Sequence, residues 1–119
     1  MRTGRPSSTK DLSTAERTLL DAIRALGFGQ IEFLRISGGE PVLNPWPTIV
    51  RDLKFGVDRT EPRATNGYEF ELKRETAELF EYTREVGEGE IRTLVVRHGL
   101  PFSMEVELAG RALAGGRRE

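Results

Sequence analysis

Residues 19–41 read LLDAIRALGFGQIEFLRISGGEP, and residues 79–101, sixty positions later, read LFEYTREVGEGEIRTLVVRHGLP. The two stretches align without a gap. The identical pairs are Leu19/Leu79, Arg24/Arg84, Gly27/Gly87, Gly29/Gly89, Ile31/Ile91, Leu34/Leu94, Gly39/Gly99 and Pro41/Pro101. Glycines mark positions where the chain changes direction, so the match preserves architecture as well as composition. The sequence therefore predicts an internal structural repeat.

Each copy opens with the pattern of an amphipathic helix. Ser13 stands three residues before Glu16, which is the spacing of a capping box, and this pair predicts the start of the first helix. The apolar stripe that follows consists of Leu19, Leu20, Ile23 and Leu26, and Gly27 ends the helix. A second helix is predicted over residues 74–86, with a stripe of Leu79, Phe80, Thr83 and Val86 before Gly87.

Strand patterns follow both helices. The runs at residues 30–37 and 90–97 predict strands, and each ends at a turn, Gly38-Gly39 or His98-Gly99. The second copy returns in a strand with Phe102, Met104, Val106 and Leu108 on one face. In the first copy, prolines at 45 and 47 interrupt the return, and a strand is predicted to resume over residues 48–57. Residues 68–72 predict one more strand.

These elements predict an α+β fold: a tandem α-β-β repeat that shares one mainly antiparallel sheet, with two helices packed on one face. We expect a single domain over residues 13–108, made of repeats at 13–57 and 73–108 that residues 58–72 join. Residues 1–12 are expected to form a disordered tail, and residues 109–119 a flexible basic tail.

Composition excludes several classes of function. The 119 residues have a formal net charge of −1 and contain no cysteine, so thiolate chemistry and disulfides are excluded. Each tail carries three basic residues against one acidic residue, which leaves the body at −5. The sequence contains no apolar run of membrane-spanning length and no signal-like N-terminus, so a cytoplasmic protein without membrane contact is expected.

Residues that could carry chemistry are few. His98 is the only histidine and occupies a predicted turn, so a solvated turn residue is favoured over a base or metal ligand. Glu71, Glu75 and Glu78 could hold a hard cation, but an acidic solvated face is the favoured interpretation. The paired glycines follow helices, whereas phosphate-binding glycines precede them. The sequence therefore predicts no catalytic residue, no metal and no cofactor, and a protein that is not an enzyme.

Trp46 is the strongest single candidate for a functional residue. It stands between two prolines, as expected for a stiff interface anchor, although a core position is equally compatible with the sequence. Arg51 and Lys54 follow in the next predicted strand and are the other interaction candidates. The contact surface would be a sheet edge or the sheet face opposite the helices.

The first copy resembles the YezD family of small uncharacterised bacterial proteins. The resemblance rests on Phe28-Gly29-Gln30-Ile31, the Gly38-Gly39 turn, Val42 and the strand at residues 51–55. This chain departs from the pattern by the segment at residues 44–47 and by its second copy. The resemblance implies no activity; it implies that single-copy relatives pair as dimers and that this chain is a fused pair.

Two functions are compatible with the sequence. The leading hypothesis is a non-enzymatic bacterial protein-interaction domain that binds a protein partner or a second copy of itself. The alternative is a small nucleic-acid-binding regulator that uses the basic tails with Arg51 and Lys54.

Overall fold

The computed structural model describes residues 5–56 and 72–108, and it confirms an α+β fold. A short 3-10 helix at Thr9–Asp11 precedes the main elements. These are α1 (Thr14–Leu26), β1 (Gly29–Ser37), β2 (Glu40–Val42), β3 (Thr48–Arg51), α2 (Arg74–Val86), β4 (Gly89–Arg97) and β5 (Leu100–Leu108). The five strands form one sheet in which every pairing is antiparallel.

Strand β1 is the element around which the sheet is arranged. On one side it pairs with β4 along nearly its whole length, with Gly29 opposite Val96 and Ile36 opposite Gly89. Its other side is divided, since β3 pairs with residues 29–32 and β2 with residues 35–37. Strand β5 pairs with the far side of β4. The described sheet therefore ends at β5 on one side and at β2 and β3 on the other.

The core draws on both sequence copies. Its buried apolar residues are Leu12, Leu19, Leu20, Ile23, Leu26, Ile31, Leu34, Ile36, Leu79, Phe80, Ile91, Leu94 and Val96. Within β1 the strict alternation fails at Phe33, whose φ is 63°, so Leu34 is buried and Phe33 is exposed. This irregularity lets one strand bury Ile31, Leu34 and Ile36 on the same face.

The predicted helix signals are confirmed. The Ser13 hydroxyl accepts from the Glu16 amide at 3.2 Å, and the Glu16 carboxylate accepts from the Ser13 amide at 2.9 Å. Helix α2 has no side-chain hydrogen bond at its N-cap, Lys73, as the weaker sequence signal suggests. Both helices end at glycines with positive φ, Gly27 and Gly87, where a side chain would strain the backbone.

Glu16 also forms a buried ion pair with Arg84 of α2. The Arg84 Nε donates to Glu16 Oε2 at 3.0 Å, and Nη2 donates to Glu16 Oε1 at 2.9 Å. The same Nη2 donates to the Asp11 carbonyl at 2.8 Å. Because Glu16 is fully buried, the bidentate contact satisfies a carboxylate that water cannot reach, and the pKa of Arg84 is raised by these bonds. The pair joins the first turn of α1 to the last turn of α2.

Residues 5–12, which the sequence assigns to a disordered tail, are packed in the structure. Leu12 is buried in the core. The Asp11 carboxylate accepts from the Ser7 amide at 3.0 Å, and such bonds lower the pKa of Asp11. Residues 1–4, the predicted basic tail at 109–119 and most of the predicted strand at 68–72 lie outside the described residues.

Two strand predictions need correction. β3 ends at Arg51 and not at residue 57: Arg51 lies opposite Gly29, where β1 begins, and only the Asp52 amide bonds beyond it, to the Phe28 carbonyl. In β5, Phe102 does not face the core with Met104; it is 60% exposed. A register shift opposite Val95 and Val96 turns it outward, where the Arg97 guanidinium lies 4.0 Å from its ring centroid.

The buried ion pair gives a stability prediction. Arg84→Met should lower the free energy of unfolding by about 3–5 kcal/mol, because it leaves the Glu16 carboxylate buried without its cation. Adding Glu16→Gln to that variant should recover a large part of the loss, since no buried charge remains. Urea unfolding measures both variants.

The exposed Arg92–Glu107 pair, at 2.9 Å, is the matched control, and Arg92→Met should cost at most about 1 kcal/mol. The assignment would be contradicted if the Arg84→Met/Glu16→Gln double variant lost as much stability as the Arg84→Met and Glu16→Gln single variants lose in sum.

Candidate interaction surface

Exposed apolar side chains are concentrated in and around β3. Five of them lie within ten residues and form what we call the 46–55 surface: Trp46, Ile49, Val50, Leu53 and Phe55, between 42% and 83% exposed. All four residues of β3 are exposed. Scattered exposed apolar residues are normal on a protein surface, but a contiguous stretch of them is typical of an interaction site.

An insertion produces the loop that carries Trp46. Gly29 pairs with Arg51, 22 positions later, whereas Gly89 pairs with Leu108, 19 positions later. The connection in the first copy is therefore three residues longer, and residues 43–47 form a loop between β2 and β3. The Asn44–Pro45 peptide bond in this loop is cis. The sequence leaves open whether Trp46 is core or surface, and the structure places it 52% exposed.

Arg51 holds β3 against the end of α1. Its Nη1 donates to the Leu26 carbonyl at 3.3 Å and its Nη2 to the Ala25 carbonyl at 3.4 Å. These carbonyls belong to the last turn of the helix, where the dipole favours a cation. Arg51 therefore has a structural role.

Gly29 lets β3 approach β1 closely, because a side chain at this position would overlap the Val50 carbonyl oxygen.

Lys54, the third candidate from the sequence, is exposed and lies beyond the end of β3. Of the three candidates, Trp46 and Lys54 have exposed side chains, whereas the Arg51 side chain bonds to α1. Sequence reasoning missed Ile49, Val50, Leu53 and Phe55 as surface residues. The signal was present, because apolar residues occupy both odd and even positions of this segment, while only one face of an edge strand can meet the core.

Over β1, β4 and β5, the sheet face away from the core differs in character from the 46–55 surface. Phe33 and Phe102 are exposed there, but Arg97 covers the Phe102 ring. Arg92 and Glu107 form an ion pair with both side chains more than half exposed. Mixed charges of this kind are typical of a solvated face.

The residues considered for chemistry are dispersed. His98 is exposed in the turn between β4 and β5, and its ring meets the Phe28 ring edge-on with centroids 4.8 Å apart. Glu71 lies outside the described residues, and Glu78 is 3.9 Å from Arg5. Within residues 5–56 and 72–108, the histidine and acidic side chains form no group of three that could hold a metal ion.

A cavity of about 510 Å³ lies beside the start of α2. Its lining consists of Arg5, Pro6, Ser7, Ser8, Leu72, Arg74 and Ala77. The Arg5 Nε donates to the Glu81 carboxylate at 2.8 Å, so its charge is compensated within the protein. The cavity brings no catalytic pair together.

The described part of the chain contains no helix that is both long and apolar enough to cross a membrane. Comparison of the chain with family models, with curated proteins and with solved structures finds no match. The resemblance to the YezD family therefore stays a prediction.

The half-exposed position of Trp46 predicts a small effect on folding. Trp46→Ala should lower the free energy of unfolding by about 1 kcal/mol and keep unfolding cooperative, because most surface substitutions have small effects. Phe80→Ala, at a fully buried position, is the control and should cost about 3–5 kcal/mol. Equal losses in urea unfolding would show that Trp46 belongs to the core.

Proposed function

We propose that this chain is a small, non-enzymatic bacterial interaction domain of the cytoplasm that binds another protein through the 46–55 surface. One observation carries the proposal: the apolar side chains from Trp46 to Phe55 are exposed beside a strand whose outer edge is unpaired within the described residues. A sheet edge offers backbone hydrogen bonds and the neighbouring side chains offer specificity, which is how strand addition recognises a partner.

Trp46 would be the anchor of this contact. Tryptophan is enriched among the residues that dominate binding energy, because its large ring buries much apolar area. The prolines at 45 and 47 restrict the backbone around it, so little conformational entropy is lost on binding. The polar residues Asp52 and Lys54 would form the rim of the contact.

We also propose that the domain is a tandem α-β-β repeat with both helices on one face of the sheet. In support, α1 and α2 differ by sixty positions at both ends, as do β1 and β4. The β1–β4 register exchanges equivalent positions, since Gly29 lies opposite Val96 and Ile36 opposite Gly89. The Gly39 amide donates to the Gly87 carbonyl and the Gly99 amide to the Gly27 carbonyl, both at 2.9 Å. A fused pair of this kind would leave two outer edges, which the longer connection of the first copy makes non-equivalent.

Nucleic-acid binding through the basic tails is the alternative. Residues 1–4 and 109–119 of these tails lie outside the described residues, and Arg5 donates to the Glu81 carboxylate. The contacts of Arg51 with α1 favour a structural role for it over phosphate binding. Fluorescence anisotropy with short DNA and RNA across a salt series separates the two functions. Binding that falls steeply with salt, and that is lost without residues 1–4 and 112–119, would support the alternative, since residues 5–12 belong to the packed part of the chain.

The interaction proposal predicts a position-dependent cross-link. A photoreactive benzoylphenylalanine at Trp46 should give discrete protein adducts in cells, because this side chain would lie in the interface. The control is benzoylphenylalanine at Phe102, which is 60% exposed in β5 at the opposite edge of the sheet and should give none of these adducts. Mass spectrometry of the adducts identifies the partner class. Identical adducts at both positions, or none at Trp46, would overturn the proposal.

A further inference from the structure

We propose that two copies of this chain pair through their β3 strands, so that the two sheets continue across a twofold axis at Val50. This inference rests on the proposed function, because it names the partner of the 46–55 surface. The partner is a second copy of the chain, and the contact is an antiparallel addition of one edge strand to the other.

The backbone of β3 has hydrogen-bonding groups that point away from β1. The Asp52 amide donates to the Phe28 carbonyl at 2.9 Å, so residue 52 faces β1. Because backbone groups alternate in direction along an antiparallel strand, residues 50 and 48 also face β1, and Ile49 and Arg51 face outward. Within residues 5–56 and 72–108, β1 is the only strand that pairs with β3. No described strand therefore pairs with the outward groups of Ile49 and Arg51, and the proposal assigns them to the β3 strand of a second copy.

The positions of these groups select a register. With the twofold axis at Val50, Ile49 of each copy lies opposite Arg51 of the other, and each pair exchanges two hydrogen bonds. All the outward amides and carbonyls of β3 are then used. An axis at Ile49 would instead place Pro47 opposite Arg51, and a proline has no amide to donate. The Val50 side chains face each other across the axis, on the sheet face away from the core.

Charge distinguishes β3 from the edge at β5. The only charged residue of β3 is Arg51, and in the proposed register it lies opposite Ile49, so like charges do not meet. Strand β5 contains Glu105 and Glu107, has no basic residue and includes Pro101. Charges and prolines are the features by which natural edge strands avoid pairing. The β5 edge therefore has more charged residues opposing self-pairing than the β3 edge.

The available area is sufficient for a dimer. The five side chains of the 46–55 surface are between 42% and 83% exposed. From the usual areas of such side chains, their exposed parts sum to on the order of 500 Å². If all of this area is covered, two copies together bury at most about 1,000 Å², which is the size from which specific interfaces begin.

A single cysteine tests the register directly, because the natural chain contains none. Facing residues in a non-hydrogen-bonded antiparallel pair have Cα atoms about 4.5 Å apart, within the range of about 4.4–6.8 Å that a disulfide bridges. Copper phenanthroline, as the oxidant, should convert most of the Val50→Cys protein into a disulfide-linked dimer. The matched control is Ser103→Cys, an exposed position in β5, which should give several-fold less dimer under the same conditions.

Sedimentation of the reduced proteins completes the test. The wild-type chain should sediment as a dimer at micromolar concentrations, and Val50→Lys should sediment as a monomer, because two lysines would meet at the axis. Val50→Glu should also be monomeric alone, and mixing it with Val50→Lys should restore a dimer. Far-UV circular dichroism checks that each variant is folded. If a charged variant does not fold, the cysteine cross-link still tests the register.

The results separate this inference from the proposed function. Equal oxidation of the two cysteine variants, or a monomeric wild-type chain, would overturn the β3 pairing. If Trp46 then cross-links to a different protein, the proposed function stands with another partner. If Trp46 gives no adduct either, both proposals fail.

Discussion

The antiparallel pairing of β1 with β4 is the interaction on which the rest of the structure depends. It joins the two sequence copies along nearly the full length of both strands. It also supplies Ile31, Leu34, Ile91 and Leu94 to the centre of the core, all at most 1% exposed. Without this pairing these side chains would be exposed to water, and their burial favours folding of the helices and strands as one body. The two outer edges of the sheet are formed by the strands that follow β1 and β4 in the chain: β2 and β3 on one side and β5 on the other.

Those outer edges differ because the first copy has a longer connection. The return of the second copy runs without interruption from Leu100 to Leu108. The return of the first copy divides into β2 and β3, and the extra residues form the loop that carries Trp46. A short exposed strand and a stiff aromatic loop therefore lie on one edge only. In the proposed function the edge at β3 would serve in recognition, whereas the acidic residues Glu105 and Glu107 oppose pairing at the β5 edge.

The buried pair of Glu16 and Arg84 adds a second connection between the copies. One carboxylate caps α1, binds the guanidinium from α2 and, through that guanidinium, fixes the Asp11 carbonyl. Burying two charges costs desolvation energy, so the pair specifies how the helices meet more than it adds net stability. The offset of sixty residues places Thr76 at the position equivalent to Glu16, and this threonine is also buried. The ion pair is thus specific to one side of the fold.

Local patterns were enough to predict the helices, the turns and the central strands, because their signals come from neighbouring residues. The capping box of Ser13 and Glu16 is an example. The burial of Glu16 was not predictable, since its partner lies 68 positions away. The outward orientation of Phe102 depends on the register of β5 against β4. The early end of β3 depends on where β1 begins. For the candidate site, the sequence indicated Trp46 and a sheet edge, but it did not indicate that Ile49, Val50, Leu53 and Phe55 are exposed.

Backbone hydrogen exchange at Ile49 and Arg51 tests the central claim most directly. Their amides point away from β1, so in a monomer they should exchange rapidly at any protein concentration. The self-pairing account predicts that both become protected at high concentration and lose that protection on dilution, while the amide of Ile31 in the central strand stays protected throughout. Rapid exchange at both amides, unchanged over the full concentration range, would contradict it.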